Sequence, residues 1–272
     1  MPELPEVETV RRSLMPLIVG KKVEGIDILN ETVVATGNLQ DLCSLRINDI
    51  DRRGKYLKIY FEQDLVLVIH LRMTGRLLWQ DPPEPLAKHS HVVFHIEGGA
   101  QLVFADVRRF GRMWLVHRDK LDSVSGLCTL APEPLEEAFS AEVLQANIYR
   151  HKKALIKAVL LDQTVVAGLG NIYVDEVLFA AHINPMRLAG TLSVSEVSIL
   201  AGVMKAILTN AIEKRGTTFR DYVDGNNKHG SYQNFLKVFQ KVGEKCPVCG
   251  TIIEKTKVGG RSTFFCPNCQ VK

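Results

Sequence analysis

Apolar residues recur at three- and four-residue intervals from the very start of the chain. Val7, Val10, Leu14 and Leu17 fall on one face of a helix predicted over 3–19. Glu3 and Glu6 suit the positive end of its dipole, while Arg11 and Arg12 keep the other face polar. Pro16 weakens the last turn and Gly20 supplies the stop.

From residue 21 to about 118 the period shortens to two. Segments 23–28, 56–61 and 92–96 nearly alternate, and 65–69 is a continuous apolar run suited to a buried strand. Gly54, Gly75, Gly98-Gly99 and Gly111 punctuate them, and Asp81-Pro82-Pro83-Glu84-Pro85 must be a loop. Many short strands with tight turns point to a β-sandwich or a barrel. Ala131-Pro132-Glu133-Pro134 ends this region, and beyond it the period is helical over 139–149, 152–163, 171–181 and 194–214. The polar, glycine-containing stretch 217–234 reads as a mobile loop. The chain thus divides into a β-rich domain (1–130), a linker (131–137), a helical domain (138–235) and a cysteine-bearing unit (236–272).

Composition adds that 272 residues, 46% hydrophobic and 24% charged, can bury one large core or two ordinary ones. No apolar run approaches the roughly 18 residues of a membrane span. The acidic N-terminus lacks the apolar stretch of a secretion signal, so a cytoplasmic location is expected. The net charge of +4 is uneven: residues 205–272 hold 12 Lys or Arg against 5 Asp or Glu, a net of +7. A basic C-terminal region facing a polyanion is one reading of this; a solubilising surface is the other.

Four of the six cysteines form Cys246-x2-Cys249-x16-Cys266-x2-Cys269, the spacing of a four-thiolate zinc site. The isolated Cys43 and Cys128 are expected to be small buried apolar residues. Gly259-Gly260-Arg261, between the cysteine pairs, reads as a hairpin turn that carries an exposed cation. Such a projection suits a groove or a row of phosphates, and a protein contact is the alternative.

Met1-Pro2-Glu3-Leu4-Pro5-Glu6 carries further chemistry. Removal of Met1 would give Pro2 a free secondary amine. An α-amine with a pKa near 8 is unprotonated for roughly a fifth of the time at neutral pH. A secondary amine that attacks a sugar carbon forms an iminium with no N–H to lose, which acts as an electron sink. The bland alternative is a Met-Pro start that merely precedes a helix. Other motifs are equally double-edged. Gly168-Leu169-Gly170-Asn171 offers backbone N–H groups to a phosphate or is a plain helix–helix turn, with Asn171 as cap or phosphate ligand. Lys153 and Lys157, four apart on a predicted helical face, suit phosphates or face solvent. Arg52-Arg53-Gly54-Lys55, Met73 and Val107-Arg108-Arg109-Phe110-Gly111 are either charged turns with core residues or a device that props a distorted base stack.

Taken together, these segments resemble the bacterial formamidopyrimidine-DNA glycosylases, the MutM family. The matching segments are residues 2–12, Arg53-Gly54-Lys55-Tyr56-Leu57, His70-Leu71-Arg72-Met73, residues 106–111 and 166–176, and the terminal cysteines. They follow the family's order along essentially the whole chain. The resemblance implies an α+β protein: an N-terminal catalytic β-sandwich with flanking helices, then a helical helix–two-turns–helix domain with a four-cysteine zinc finger holding one structural Zn²⁺. It implies a bifunctional glycosylase and lyase that excises oxidised purines and cleaves the strand by β,δ-elimination. The partner is then double-stranded DNA with oxidised purines or abasic sites, and the protein is expected to be a monomer, off the membrane, at the bacterial nucleoid.

Carried over by resemblance, Pro2 (nucleophile), Glu3 (acid at the sugar ring), Lys55 and Arg261 form the catalytic set, supported by Glu6. His89, Arg108, Arg109, Lys157 and Asn171 are DNA contacts, and Lys157, Asn171 and Arg261 grip phosphates. Met73, Arg108 and Phe110 form the wedge that fills the gap left by the everted nucleotide. Thr217, Thr218, Arg220 and Tyr222 lie in the loop over the damaged base, and Cys246, Cys249, Cys266 and Cys269 bind zinc. Arg215-Gly216 stands where the family commonly has Gly-Gly, Phe239-Gln240 replaces Tyr-Gly, and Arg220 varies among relatives. The rivals are the endonuclease VIII branch, which favours oxidised pyrimidines, and a non-catalytic damage-binding protein.

Overall fold

The computed structural model describes residues 1–219 and 222–271. Two compact units emerge, each discontinuous in sequence: Met1–Cys128 with Lys214–Gln233, and Thr129–Glu213 with Asn234–Lys272. The stretch 214–233, assigned to the helical domain from the sequence, thus belongs to the first unit. Residues 131–137 are part of the second unit, with Ala131 and Glu133 buried.

The first unit opens with helix α1 (Leu4–Ile18), one residue shorter at each end than predicted. Nine strands follow: β1 (Val23–Ile28), β2 (Val34–Thr36), β3 (Ile47–Arg53), β4 (Tyr56–Phe61), β5 (Leu65–His70), β6 (Gly75–Gln80), β7 (Ser90–Ile96), β8 (Ala100–Asp106) and β9 (Arg112–His117). They form a four-stranded sheet in the order β1-β7-β8-β6 and a five-stranded sheet in the order β2-β9-β5-β4-β3. Every pairing is antiparallel except β2 with β9. The alternation in β4 registers directly against the continuous apolar run of β5, from Tyr56 opposite His70 to Tyr60 opposite Val66. Val7, Val10, Leu14 and Ile18 of α1 share one buried cluster with Leu57, Ile59, Leu67 and Ile69 of one sheet and Val92, Phe94, Leu102 and Phe104 of the other. Alternating strands therefore face a common core, and the sandwich reading holds. Tyr222 from the returning segment also enters that cluster.

The second unit contains α2 (Ala141–Arg150), α3 (Ile156–Leu161), α4 (Asn171–Ala180) and α5 (Val194–Glu213), then a hairpin of β10 (Glu254–Val258) and β11 (Arg261–Phe265). Helix α3 is half the predicted length because residues 151–154 form a turn, so Lys153 and Lys157 do not share a helical face. Helix α5 is long and apolar enough by average hydropathy to span a membrane, although its charged residues interrupt any continuous run. It packs on α2 and α4, and Val197, Leu200, Ala201, Met204 and Leu208 are buried, so one face of the helix lies in the core of the unit. The isolated cysteines depart from expectation: Cys43 is half-buried and Cys128 is exposed.

Candidate active site and nucleic-acid interface

In the first unit, the start of α1 gathers buried polar groups. Pro2 is buried, and Glu3, the N-cap residue, is buried beside it. Glu6 connects two segments far apart in sequence. Its Oε2 accepts the Glu3 N–H at 2.8 Å and its Oε1 accepts the Thr217 N–H at 2.7 Å. Gly216 passes so close that a Cβ would lie 2.8 Å from Glu6 Oε1. The Tyr222 hydroxyl donates toward the carbonyls of Glu6 and Arg215, each at 3.2 Å, and burial pushes this phenol well above its usual range. Thr218 accepts from Gly230 N–H at 2.9 Å and donates to Tyr222 O at 3.0 Å. The described part of the segment read as a mobile loop is thus tied down at several points; Arg220 lies outside the described residues.

One turn further along α1, the buried Glu8 receives Arg11, Arg12 and Arg52, with Arg52 also reaching Gly54 O at 3.0 Å. Burial alone would raise the Glu8 carboxyl. Hydrogen bonds from Arg11 and Arg12, with the charge of Arg52, outweigh it and hold Glu8 at about 2. This network fixes the β3–β4 turn, and with it the buried Lys55, against the helix that begins with Pro2. Near Lys55 lies His70, buried and edge-on to Tyr56 at 4.6 Å between ring centres. Its Nδ1 accepts the Arg72 N–H at 2.9 Å, which leaves the proton on Nε2. Burial, then Arg72 and Lys55, depress its pKa to about 3, so the ring stays neutral. The sequence motif contained His70, but nothing in it assigned this role.

Met73 comes together at the surface with Arg108 and Phe110, more than thirty residues further along the chain. Arg108 Nη1 sits 3.0 Å from Met73 Sδ, and its guanidinium carbon is 4.7 Å from the Phe110 ring centre. Met73 is 40% exposed and Phe110 47%, so neither is a core residue. The two supporting loops hold left-handed backbone at Arg72 and Arg109, both at φ +56°. The buried Asp106 locks them: its carboxylate accepts from Thr74 Oγ1, from Arg108 N–H at 3.1 Å and from Gly111 N–H at 2.8 Å. A side chain at Gly111 would strike Phe104 and crowd Asp106. Nothing in the periodicity singled out Asp106 or Thr74. Arg109 is exposed, and the half-buried His89 accepts the Asp106 N–H through its carbonyl at 2.9 Å.

The second unit corrects two expectations. Lys157 is not on a solvent face: its side chain and that of Asp175 are both 0% exposed, paired at 2.8 Å. Lys157 Nζ also donates to Ser262 O at 2.8 Å, as does Asn171 Nδ2 at 2.9 Å. Asn171 is the first residue of α4 and Gly170 its N-cap, so Asn171 does not cap the helix. Asp175 accepts the Phe264 N–H at 3.0 Å. Burial pushes Asp175 up to about 7, opposed by Lys157 and that N–H. Lys157, Asn171 and Asp175 therefore grip the β10–β11 hairpin from below rather than reaching outward. At its tip, Gly259 (φ +54°) and Gly260 (φ +74°) form a two-residue turn that requires positive φ twice, and Arg261 stands exposed next to it. Buried Glu176, another acid the sequence did not flag, accepts the N–H groups of Lys237, Val238 and Phe239 at 2.8–2.9 Å. Phe239 itself packs edge-on to Phe264.

The sulfurs of Cys246, Cys249, Cys266 and Cys269 all lie within 4.8 Å of one another, with pairs at 3.9 and 3.5 Å. A tetrahedral Zn²⁺ with bonds of about 2.3 Å needs edges of roughly 3.8 Å, so the donor set fits. Four cysteines leave no open position, and the ion is structural. Gln270 anchors the knuckle by accepting the Cys266 N–H and donating to Ile183 O, both at 2.9 Å.

Comparison with known proteins agrees along the length of the chain. The profile of the formamidopyrimidine-DNA glycosylase N-terminal domain matches residues 1–113, that of its H2TH domain 130–223, and that of the zinc finger found in FPG and IleRS 243–271. The formamidopyrimidine-DNA glycosylase of Pelotomaculum thermopropionicum is 48% identical over 274 residues, 99% of each chain. A point mutant of the Lactococcus lactis protein, in complex with DNA containing Fapy-dG, superimposes with a TM-score of 0.94 at 41% identity over 100% of both chains. The wild-type Lactococcus lactis protein with an oxidised-pyrimidine DNA gives 0.92 at 40%, again over 100% of both.

Proposed function

Since the chain belongs to the formamidopyrimidine-DNA glycosylase family of DNA-repair enzymes, we propose that it excises oxidised purines, 8-oxoguanine and formamidopyrimidines, from double-stranded DNA and then cleaves the strand. The observation that carries this reading is the buried carboxylate arrangement at the start of α1, where Glu6 fixes both Glu3 and Thr217 beside Pro2.

With Met1 removed, the Pro2 nitrogen forms a bond to C1′ as the bond to the damaged base breaks, and the base leaves with a proton. Loss of the Pro2 N–H proton and protonation of O4′ by Glu3 open the sugar ring and leave an iminium. The iminium acidifies C2′; loss of that proton expels the 3′ phosphate, and a second elimination expels the 5′ phosphate. A base inside a duplex must first be everted, at a cost of a few kcal/mol. The exposed Met73–Arg108–Phe110 cluster on its rigid loops offsets this by filling the vacated stack. Arg261 and the Lys55–His70 pair supply cations and an N–H donor for phosphates. The enzyme acts as a monomer.

Sodium borohydride in the presence of abasic-site DNA tests the chemistry: a covalent adduct is expected on Pro2. Absence of any adduct would favour a protein that binds damage without reacting. The oxidised-pyrimidine complex of the Lactococcus lactis relative supports a second, broader reading of substrate range. Excision rates on 8-oxoguanine and thymine-glycol duplexes decide between them, with the purine expected to be faster.

A further inference from the structure

The segment that returns to the first unit is braced by an ion pair. Residues 214–216 and 230–232 run side by side, with Ser231 N–H on Lys214 O at 2.9 Å and Tyr232 N–H on Gly216 O at 3.0 Å. Gly230 is so close that a Cβ would sit 2.1 Å from Gly216 O. Within this frame Arg215 adopts φ +62°, a conformation that favours glycine. A side chain kept there needs a reason, and the structure supplies one: the Arg215 guanidinium pairs with the carboxylate of Asp224, whose side chain is 0% exposed. The same carboxylate accepts the N–H groups of Asn226 and Lys228, each at 2.9 Å, and so organises a tight turn. That turn is itself fixed on both sides. Gly225 N–H donates to Ser13 Oγ of α1 at 2.9 Å, and Gly225 O accepts the Trp79 N–H of β6 at 2.8 Å.

We propose that the Arg215–Asp224 pair is a latch that sets the position of Gly216–Thr217 against Glu6, making Arg215 and Asp224 positioning residues for excision of a base. The physical chain is short. Asp224 is held by α1 and β6; Arg215 is held by Asp224; Gly216 and Thr217 follow directly, and Thr217 N–H is the donor to Glu6 Oε1. The Tyr222 hydroxyl, bonded to both Arg215 O and Glu6 O, closes the loop of contacts from the other side. The inference rests on reading the segment that begins at Thr217 as the part that meets the damaged base. An abasic site presents no base, and Glu6 still holds Glu3 through its other carboxylate oxygen, so cleavage there does not need the latch. The latch is therefore a determinant of substrate preference: it separates base-bearing lesions from sites whose base is already lost.

The test compares Arg215→Gly, Asp224→Asn and Arg215→Lys with the unaltered holoenzyme. Arg215→Gly accepts the left-handed backbone and removes only the tie; Asp224→Asn keeps an oxygen for the Asn226 and Lys228 N–H groups and removes the charge. In single turnover on 8-oxoguanine duplex both are expected to lose about fivefold, with cleavage of abasic DNA within twofold and Arg215→Lys restored to within twofold. Hydrogen exchange of the peptide covering 216–219 is expected to quicken in the first two variants only. Unchanged excision and exchange in Arg215→Gly and Asp224→Asn would overturn the latch, as would an equal loss on both substrates. If the unaltered enzyme itself fails on 8-oxoguanine, the functional reading fails instead, and the exchange measurement still decides whether the pair holds the segment.

Discussion

Replacing Lys157 by methionine separates the two roles considered for this residue. A phosphate contact on a solvent face would leave stability untouched. The structure instead places Lys157 in a fully buried pair with Asp175, with a second bond to Ser262 O. Removing one partner of such a pair costs about 3–5 kcal/mol, because the remaining charge is buried alone. At a urea dependence of about 1–3 kcal/mol per molar, the midpoint of the second unit falls by about 2 M. The size depends on pH. Burial already raises the Asp175 carboxyl to about 7 with Lys157 in place, and it rises further without it. A carboxyl raised in the folded state binds a proton there that the unfolded chain has released. The contribution of Asp175 to the stability of the second unit is therefore greatest below about 4 and is lost as pH rises through 7. At pH 5.5 the variant's Asp175 is neutral, and only the lost hydrogen bonds remain, about 1–2 kcal/mol; at pH 8.5 the full deficit appears. The double variant Lys157→Met, Asp175→Asn removes both charges and recovers most of it. Far-UV circular dichroism follows the helices of the second unit, while both tryptophans, Trp79 and Trp114, lie in the first and serve as an internal control. If Lys157→Met unfolds with the wild-type curve at both pH values, the buried clamp is wrong.

Other outcomes follow from the same geometry. Chelating the zinc, or Cys266→Ser, unties the knuckle that Gln270 anchors; DNA affinity is expected to collapse while the tryptophan-reported unfolding of the first unit is unchanged, and retained affinity after measured zinc loss would contradict it. Asp106→Asn substitutes an NH₂ for one of two acceptors that hold the Thr74 and Gly111 loops. A loss of about 2 kcal/mol in stability and slower base eversion, read with a fluorescent base analogue, are expected. His70 should show no imidazole titration by NMR between pH 5 and 8, since burial keeps it neutral to about 3. Because the unfolded chain takes up that proton first, the first unit loses stability as pH falls below about 6.5 toward 3; a His70 midpoint near 6.5 would mean the ring is solvated.

Local pattern revealed much of this architecture. The period-two strands, the α1 stripe and the cysteine spacing are nearest-neighbour signals, and the elements appear where those signals fall. The Met73–Arg108–Phe110 cluster was legible only through resemblance, since each residue alone could equally fill a core. What stayed hidden depends on contacts between distant segments. Lys157 looked amphipathic on a helix predicted from residue 152 that in fact begins at Ile156, and its burial follows from Asp175 on a different helix. Nothing in the sequence marks Asp106, Asp175 and Glu176 as buried acceptors on which backbone N–H groups converge. The return of 214–233 to the first unit has no compositional marker at all. It is encoded by Glu6 and Ser13, two hundred residues earlier, meeting Thr217 and Gly225.

That return has a consequence for how the molecule is made. On the ribosome, everything up to Cys128 can collapse early, but Glu6 has no Thr217 and the sandwich core no Tyr222 until all five helices have been synthesised. A nascent or truncated chain therefore carries its N-terminal helix without the clasp that Thr217 and Tyr222 supply. The contacts that order the first turn of α1 are completed only when translation is nearly finished.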